Sequence, residues 1–395
     1  MKNRIVRSVT LVTVLALALL ISVPGSVLAA DPIKIGFLFD VTGPLAPVGL
    51  DNQQGAIIAL EQAGYQLMGR PIKAIIEDSA TDVNTTLDKA RKLAEVDKVR
   101  LIVGPIFGGA QQAMGGYADK VPIPVITIGP SQNVEVIKNN WSFLAHSTCE
   151  AGGYPMGVYA AEKLGYKTAT TMASDFVAGH EFIDGFKKGF EAKGGKVIQQ
   201  QWYPLGTKDF VPFMTAAKQA DCLVTWWPGG DAFGGFKAYK DLNIKMPIIQ
   251  ASDGGITANP AINKRLGDVI AGVYAGVTYS DKAAYPGNKE FVEQYTKKFG
   301  AGPGANAGGS YISTKIALAA IEKAGKDESP QALKKALLSL KIDTIRGPLS
   351  FNEDRIATHD VPVVVIEKNL DSKIVGGYRM TAKKVGQTVE IGLAK

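Results

Sequence analysis

The chain has 395 residues, a formal net charge of +7 at neutral pH, 46% hydrophobic residues and two cysteines. This length exceeds what one compact core usually holds, so two domains are expected. Two cysteines exclude a disulfide-rich scaffold. The positive charge is mild and scattered along the chain, which argues against a nucleic-acid partner.

The first thirty residues have the pattern of a secretory signal peptide. Three basic residues precede an apolar stretch, and small residues then lead to a cleavage site after Ala29 or Ala30. Removing residues 1–30 takes away three positive charges and no acid, which lowers the net charge from +7 to +4. No cysteine follows that could carry a lipid anchor. The mature chain is therefore expected to be soluble and periplasmic or otherwise secreted.

From residue 33 onward, short apolar β-rich runs alternate with amphipathic stretches. The first series predicts strands at 33–40, 71–77, 100–104 and 123–129, with helices at 51–64, 82–96 and 109–119. The second predicts helices at 153–164, 181–192, 210–218 and 232–241, with strands at 167–173, 196–203, 221–227 and 246–252. A strict rotation of strand and helix predicts parallel sheets covered on both faces.

The last third of the chain changes character. Three helices are predicted at 288–299, 310–324 and 330–340, followed by short β-like pieces at 347–351 and 361–368. The glycine-rich segment 300–310 is expected to be a loop, because glycine weakens both regular structures. Cys149 and Cys222 could form a disulfide in an oxidising compartment, but each stands in a separate apolar or helical context, which favours a free pair, and spacing alone does not decide.

The usual marks of an enzyme are missing from the sequence. His146, His180 and His359 lie far apart, and none has a partner at metal-ligand spacing. There is no Gly-x-Ser-x-Gly motif, no phosphate-binding loop with its lysine, and no Gly-x-Gly-x-x-Gly after the first strand. We therefore predict no catalytic residue, no metal and no cofactor.

The stretch VGPIFGGAQQA, residues 103–113, can bind an anion. A strand, a glycine turn and a helix starting near Gly109 would direct the free amides of Gly109, Ala110 and Gln111 at one spot. The stretch contains no lysine or arginine, so a carboxylate fits better than a phosphate. Gly129 and Ser131 follow the next strand at the same sheet edge. A plain turn at the glycines and a helix cap at Ser131 are the alternative interpretations.

Four segments carry a resemblance to a known family. IKIGFLFDVTGPLAPVGLDNQQGAIIALEQAG, VRLIVGPIFGGAQQA, VPIPVITIGPS and ASDFVAGHEFIDGFKKGFEAKGGKV stand in this order along the chain. They resemble the type I periplasmic solute-binding proteins of ABC transporters, in the leucine/isoleucine/valine-binding branch. The resemblance implies an α/β fold of two doubly wound lobes joined by a three-strand hinge. It places residues 31–147 with 280–355 in lobe one, and 148–279 with 356–395 in lobe two.

The resemblance also implies how an amino acid would be held. Its carboxylate would bind at the helix start, at Gly109 or Ala110, and at Gly129 and Ser131 after the next strand. The serine that is usual at the first of these positions is missing here, so only backbone donors remain there. The ammonium would bind Asp253, since a desolvated charge needs a partner of opposite sign.

The side-chain end of the pocket departs from the family pattern. Ala178 and Val48 stand where aromatic residues are common in the family. Trp226 and Trp227 end a strand, and alternation sends one indole toward the core and the other toward the cleft or solvent. Trp227 is the predicted cleft wall, with Phe176 nearby, although two packing tryptophans are also possible. A pocket of different shape is therefore expected, for a larger or flatter apolar ligand.

Together these features predict the extracytoplasmic substrate-binding component of an ABC importer, working as a monomer with a membrane permease. Its ligand would be a small carboxylate-bearing molecule, first of all a branched-chain or other hydrophobic amino acid. A binder of aromatic carboxylates or small amides, and a ligand-sensing module, are the alternatives. Cleft closure would depend on a ligand binding the closed state more tightly than the open one.

Overall fold

The computed structural model describes residues 31–133, 139–252 and 259–394. The predicted signal peptide at residues 1–30 and the predicted site residue Asp253 lie outside these ranges. Within them, no helix combines the length and the apolar character that a membrane crossing requires. Two β-sheets flanked by helices organise the described residues, so the expected α/β class is confirmed.

In the described ranges the first sheet has six strands: β1 (Ile33–Phe39), β2 (Gln66–Leu67), β3 (Arg70–Asp78), β4 (Ile102–Val103), β5 (Val125–Ile126) and β6 (Ser142–Phe143). Their order is β2-β3-β1-β4-β5-β6, and only the β2–β3 pair is antiparallel. Helices α1 (Ala46–Gln62), α2 (Val83–Arg91) and α3 (Gly108–Lys120) connect the strands, and a π-helical turn at Lys92–Val96 follows α2. The apolar run of β1 follows from its burial on both faces of the sheet.

The second sheet begins with β7 (Thr168–Ser174), β8 (Lys196–Tyr203), β9 (Cys222–Trp226), β10 (Ile248–Gln250) and β11 (Tyr274–Gly276). It continues with β12 (Lys341–Thr344), β13 (Gly347–Phe351), β14 (Ala357–Ile366), β15 (Ser372–Val385) and β16 (Thr388–Leu393). The order is β12-β13-β14-β11-β10-β9-β7-β8, with β15 beside β14 and β16 beside β15. The strands from β7 to β11 run parallel, and those from β12 to β16 pair antiparallel. This sheet therefore joins a doubly wound part to a meander.

Five helices accompany the parallel part of the second sheet: α4 (Cys149–Glu162), α5 (Val177–Glu191), α6 (Val211–Thr215), α7 (Asp231–Asp241) and α8 (Pro260–Leu266). Three more follow: α9 (Asn288–Phe299), α10 (Ala305–Ala324) and α11 (Pro330–Leu338). Residues of α9, α10 and α11, such as Phe291, Ile316 and Leu333, share one buried cluster with Phe37 of β1. The first core thus draws on two separate stretches of chain, as the lobe assignment requires. The boundaries at residues 147, 280 and 355 stay a prediction.

The chain passes between the two sheets near one buried arginine. Arg346 is 1% exposed, and its guanidinium donates to Ala145 O at 2.9 Å, to Thr278 O at 3.0 Å and to His146 Nδ1 at 2.8 Å. Burial lowers the pKa of Arg346 to about 9, which leaves it charged at neutral pH. The passage after β6 also pairs with the one before β14, through Leu144 N–H and Arg355 O at 2.9 Å. Hydrogen bonds therefore link the three crossings of the hinge.

Helices α1, α4 and α5 begin four or five residues earlier than predicted, and two larger features differ from the expectations. Residues 305–310 of the glycine-rich segment form the first turns of α10 instead of a loop. The glycines permit close packing there, since a Cβ at Gly308 would lie 2.2 Å from Tyr279 Cγ. The hairpin of β15 and β16 was not predicted at all. Cys149 and Cys222 are both buried and free, so the disulfide that the sequence left open is absent from this structure.

Candidate ligand-binding site

A cavity of about 320 Å³ lies between the two sheets, at the carboxyl ends of their parallel strands. Open α/β sheets usually bind ligands at this edge. From the first sheet it is lined by Leu45 and Val48 of the β1–α1 junction and by residues after β4 and β5. From the second sheet it is lined by residues of α5 and the end of β9. Thr278 of the hinge lies at its floor.

The start of α3 forms one wall of the cavity. The helix begins at Gly108, one residue before the predicted start, and Gly108 lines the cavity whereas Gly109 and Ala110 do not. Gln111 N–H is the first to donate within the helix, to Phe107 O at 2.9 Å. The N–H groups of the three preceding residues have no acceptor inside the helix. This end therefore offers unpaired donors and the positive end of the helix dipole to an anion.

A buried carboxylate supports this helix start from beneath. Asp40, at the end of β1, accepts a hydrogen bond from Ile106 N–H at 3.3 Å and is fully buried. Burial raises the pKa of Asp40, against the lowering effect of its hydrogen bonds. A Cβ at Gly49 would lie 2.1 Å from Asp40 O, so glycine lets α1 pack directly on this strand end. The β1 and β4 loops are therefore fixed relative to each other.

The junction after β5 contributes differently from the prediction. Gly129 lines the cavity as expected. Ser131 does not: its N–H donates to Ser147 O at 3.0 Å, and its carbonyl accepts from Cys149 N–H at 2.8 Å. The prediction that Ser131 N–H binds the ligand is therefore wrong, because that N–H is used in the hinge. Its hydroxyl is buried and has no partner among the described residues.

The two indoles point to opposite sides, as predicted, but the one that faces the cleft is Trp226 and not Trp227. Trp226 lines the cavity, and its ring lies 5.4 Å from that of Phe176 and 5.0 Å from that of Phe182. Trp227 is 0% exposed and packs edge-on against Phe236 at 5.2 Å, in the core beneath α7. Trp227 is therefore a core residue, and Trp226 is the cleft wall.

Three further predicted residues line the cavity. Phe176 precedes the first turn of α5, and Ala178 lies within that turn; both line the cavity. Val48, in the first turn of α1, lines the opposite side. Among the described lining residues none is Asp, Glu, Lys, Arg or His, so neutral groups surround this part of the ligand space.

Beside the cavity, a buried acidic cluster connects the two sheets. Asn133 N–H, which follows β5, donates to both oxygens of Glu181 on α5, at 2.9 and 3.1 Å. Glu150 accepts from the Asn133 amide and pairs with Lys188. Burial raises the pKa of Glu181 to about 7, and the negative charges of Glu150 and Asp184 add to that effect. The folded protein therefore binds a proton here that an unfolded chain would release.

Replacing Glu181 with glutamine tests the energetic cost of this ionisation. The folded pKa is about 7 and the ordinary value 4.5, so the contribution of Glu181 to stability is lost as pH rises through this window. We expect Glu181→Gln to raise the free energy of unfolding at about pH 8 by on the order of 1 kcal/mol and to flatten its pH profile. Urea unfolding between about pH 4 and about pH 8 measures this. Glu191→Gln, an exposed change on the same helix, should keep the wild-type profile; identical profiles for all three proteins would contradict the account.

Most lining residues escaped the sequence analysis, and Gly108 and Gln132 are two of them. Gly108 was predicted to belong to the turn. It lines the cavity because α3 begins one residue earlier than predicted. Gln132 belongs to no motif, and only the path of the chain after β5 brings its side chain into the cavity. Within the described ranges, no group of three His, Cys, Asp or Glu side chains is arranged to hold a metal ion.

The fold and the cavity define a two-lobe binding protein. The model of the periplasmic binding protein family matches residues 32–371, so the chain belongs to this family. It is a substrate-binding protein of the ABC-transporter type, and its relatives are named as binding proteins.

The chain is similar to three further proteins, two of which are named with their ligands. The leucine-, isoleucine-, valine-, threonine-, and alanine-binding protein of Pseudomonas aeruginosa is 27% identical, with 82% of this chain and 87% of that protein covered. An ABC transporter substrate-binding protein from Sphaerobacter thermophilus has a TM-score of 0.82 at 27% identity, covering 88% of this chain and 98% of that one. A solute-binding protein from Rhodopseudomonas palustris BisB5, in complex with 3,4-dihydroxy benzoic acid, has a TM-score of 0.77 at 25% identity, covering 91% and 95%.

Proposed function

We propose that this protein binds a small monocarboxylate with a flat, apolar body in the cleft between its lobes and delivers it to a membrane ABC permease. The observation that carries this proposal is the combination of a helix start with free N–H donors and an aromatic wall in one cavity. Export by the N-terminal signal and action as a monomer belong to the same proposal.

The carboxylate end of the ligand would lie at α3. Free N–H groups and the helix dipole stabilise a single negative charge, and Gly108 and Gly129 allow a close approach to the backbone. The absence of lysine and arginine from the described lining favours one charge over the two of a phosphate. Hydrogen bonds to a charged group contribute about 1.5–3 kcal/mol each.

The body of the ligand would lie against Trp226. Phe176 and Phe182 pack against the indole, and the small side chains of Val48 and Ala178 line the same cavity. Aromatic pairs add about 0.5–1.5 kcal/mol to the free energy gained by burying apolar area. A benzene ring uses this wall better than a branched aliphatic side chain does. The bound aromatic acid of the Rhodopseudomonas palustris protein agrees with this preference.

A hydrophobic amino acid is the second candidate. It is favoured by the named ligands of the Pseudomonas aeruginosa relative. An amino acid also needs a partner for its ammonium group, and no acid is present among the described lining residues. Asp253, predicted for that role, directly follows Ser252, which lines the cavity. Asp253 would accept a hydrogen bond from a ring hydroxyl if the ligand is a hydroxylated benzoate.

Calorimetric titration with benzoate, 4-hydroxybenzoate, leucine, phenylalanine and benzamide tests the proposal. We expect the two benzoates to bind most tightly, and benzamide to bind at least about 10-fold more weakly than benzoate because it lacks the charge. Equal affinity for benzoate and benzamide would contradict the anion site. Tight binding of leucine with no binding of benzoate would replace the first candidate by the second.

A further inference from the structure

The loop after β5 and helix α5 meet across the cleft at Glu181. Asn133 N–H, which belongs to the unit of the first sheet, donates to both carboxylate oxygens of Glu181, at 2.9 and 3.1 Å. The side-chain amide of Asn133 donates to Glu150. Glu181 and Glu150 lie on α5 and α4, which accompany the second sheet. One residue of the first unit therefore contacts two carboxylates of the second.

Glu181 lies on the side of α5 that faces the ligand space. Ala178, three residues before it, and Phe182, directly after it, both line the cavity. Residues three and four apart are neighbours on the surface of a helix, so Glu181 belongs to the same side as Ala178. Moving the two units apart would remove the Asn133 N–H and admit water to the carboxylate. The environment of this carboxylate therefore differs between a closed and an open cleft.

The charges that surround Glu181 lie on its own unit. The titratable groups that face it from α4 and α5 are Glu150, Cys149, Asp184 and Lys188. The described part of the loop adds only a neutral amide. Burial is the main cause of the raised pKa of Glu181, the two neighbouring acids add to it, and the ammonium group opposes it. These neighbours stay in place when the cleft opens, so the change on opening is mainly the return of water to the carboxylate.

We propose that closing the cleft around a ligand makes Glu181 take up a proton from solvent, so that ligand affinity rises as pH falls. This inference goes beyond the proposed function and rests on it, since a bound ligand is what closes the cleft. Closing with an ionised Glu181 would bury a charge beside two other acids, which costs free energy. The protonated carboxyl keeps an oxygen that accepts from Asn133 N–H. Binding of ligand and binding of the proton therefore favour each other.

Calorimetric titration of benzoate, or of leucine if wild type binds leucine instead, tests the proton uptake directly. Titrations at about pH 7 in buffers of different ionisation enthalpy should give an uptake of about half a proton per ligand in wild type, because the pKa of Glu181 is about 7 in the closed cleft and its ordinary value is 4.5. The carboxylates of both ligands are already ionised at this pH. Glu181→Gln should take up no proton. Glu191→Gln, an exposed change on the same helix, should match wild type.

The pH profile of affinity gives a second measurement. Between about pH 8 and about pH 6, wild type should come to bind the ligand about 10-fold more tightly, as follows from the same two pKa values. Glu181→Gln should have a flat profile and bind at least about 10-fold more tightly than wild type at about pH 8, because its amide is neutral like the protonated acid. Glu150→Gln removes a neighbouring negative charge and should move the wild-type profile to lower pH.

The profiles separate this inference from a structural role of Glu181 and from the proposed function. A structural role alone would change affinity by the same factor at every pH. Ligand binding without proton uptake in wild type, or parallel profiles for wild type and Glu181→Gln, would overturn the inference while the proposed function stands. If wild type binds neither benzoate nor leucine, the proposed function fails and this inference fails with it.

Discussion

Replacing Trp226 with alanine should weaken benzoate binding about 30- to 900-fold, because truncating a central aromatic residue of a binding site costs about 2–4 kcal/mol. Trp226 forms the wall of the cavity, and Phe176 and Phe182 hold its ring in place. Without the indole, the flat face of the ligand would contact water or a collapsed pocket. Calorimetric titration measures the loss directly.

The matched control removes the same side chain elsewhere. Trp141, which stacks under Lys334 at 4.7 Å, lies apart from the cleft. Trp141→Ala should lower stability and leave benzoate affinity within about 2-fold of wild type, because no contact with the ligand changes. Circular dichroism shows whether both variants are folded at the titration temperature. Similar affinities for the Trp226 and Trp141 variants would show that the ligand does not lie against Trp226.

Replacing Gly157 with alanine should lower the free energy of unfolding by about 3 kcal/mol or more, since overpacking against rigid backbone is poorly relieved. Gly157 of α4 faces α5, where an added Cβ would lie 2.0 Å from Phe186 O and 2.5 Å from Phe190 N. Neither is the end of a flexible side chain. The two helices would have to separate, and α5 carries the first turn that lines the cavity.

Glycines on both helices permit this close packing. A Cβ at Gly153 would lie 2.1 Å from Phe182 O, and one at Gly185 would lie 2.0 Å from Glu150 O. Gly116 is the control, because it is exposed on α3 and a Cβ there would have nothing within 4 Å. Gly116→Ala should stabilise the protein by about 0.5–1 kcal/mol, through helix propensity alone. Urea unfolding compares the two, and equal effects would refute the packing argument.

The alternation of strand and helix was enough to predict the α/β class, and the two-lobe arrangement was implied by the resemblance. Buried parallel strands such as β1 are continuous apolar runs, and each is followed by an amphipathic stretch whose period reveals a helix. The return of α9 and α10 to the first core was implied by the resemblance only, because periodicity carries no information about which sheet a helix covers.

Other parts of the fold could not be predicted. The strands β15 and β16 have mixed burial and many charged residues, so they lack the alternation that marks a half-buried strand. The first turns of α10 contain Gly308 and Gly309, whose low helix propensity is overridden by packing against Tyr279 and Ile128. Tertiary contacts determine the secondary structure of such segments.

In the candidate site, too, the sequence predicted the general position of the ligand but not every residue that lines the cavity. The sequence placed the α3 start and Gly129 together because strand ends share an edge of the sheet, and the resemblance placed Phe176 in the same cleft. The inward and outward directions along β9 were assigned one residue out of register, so Trp227 was predicted at the cleft where the structure has Trp226. The use of Ser131 N–H in the hinge, and the place of Gln132 in the cavity lining, depend on the path of a loop and have no sequence signature.

A crystal structure of the protein with the tightest-binding benzoate tests the central claim most directly. The account predicts the carboxylate within hydrogen-bond distance of the first N–H groups of α3, and the ring against Trp226. A ligand in the reversed orientation, or one bound outside this cleft, would contradict it.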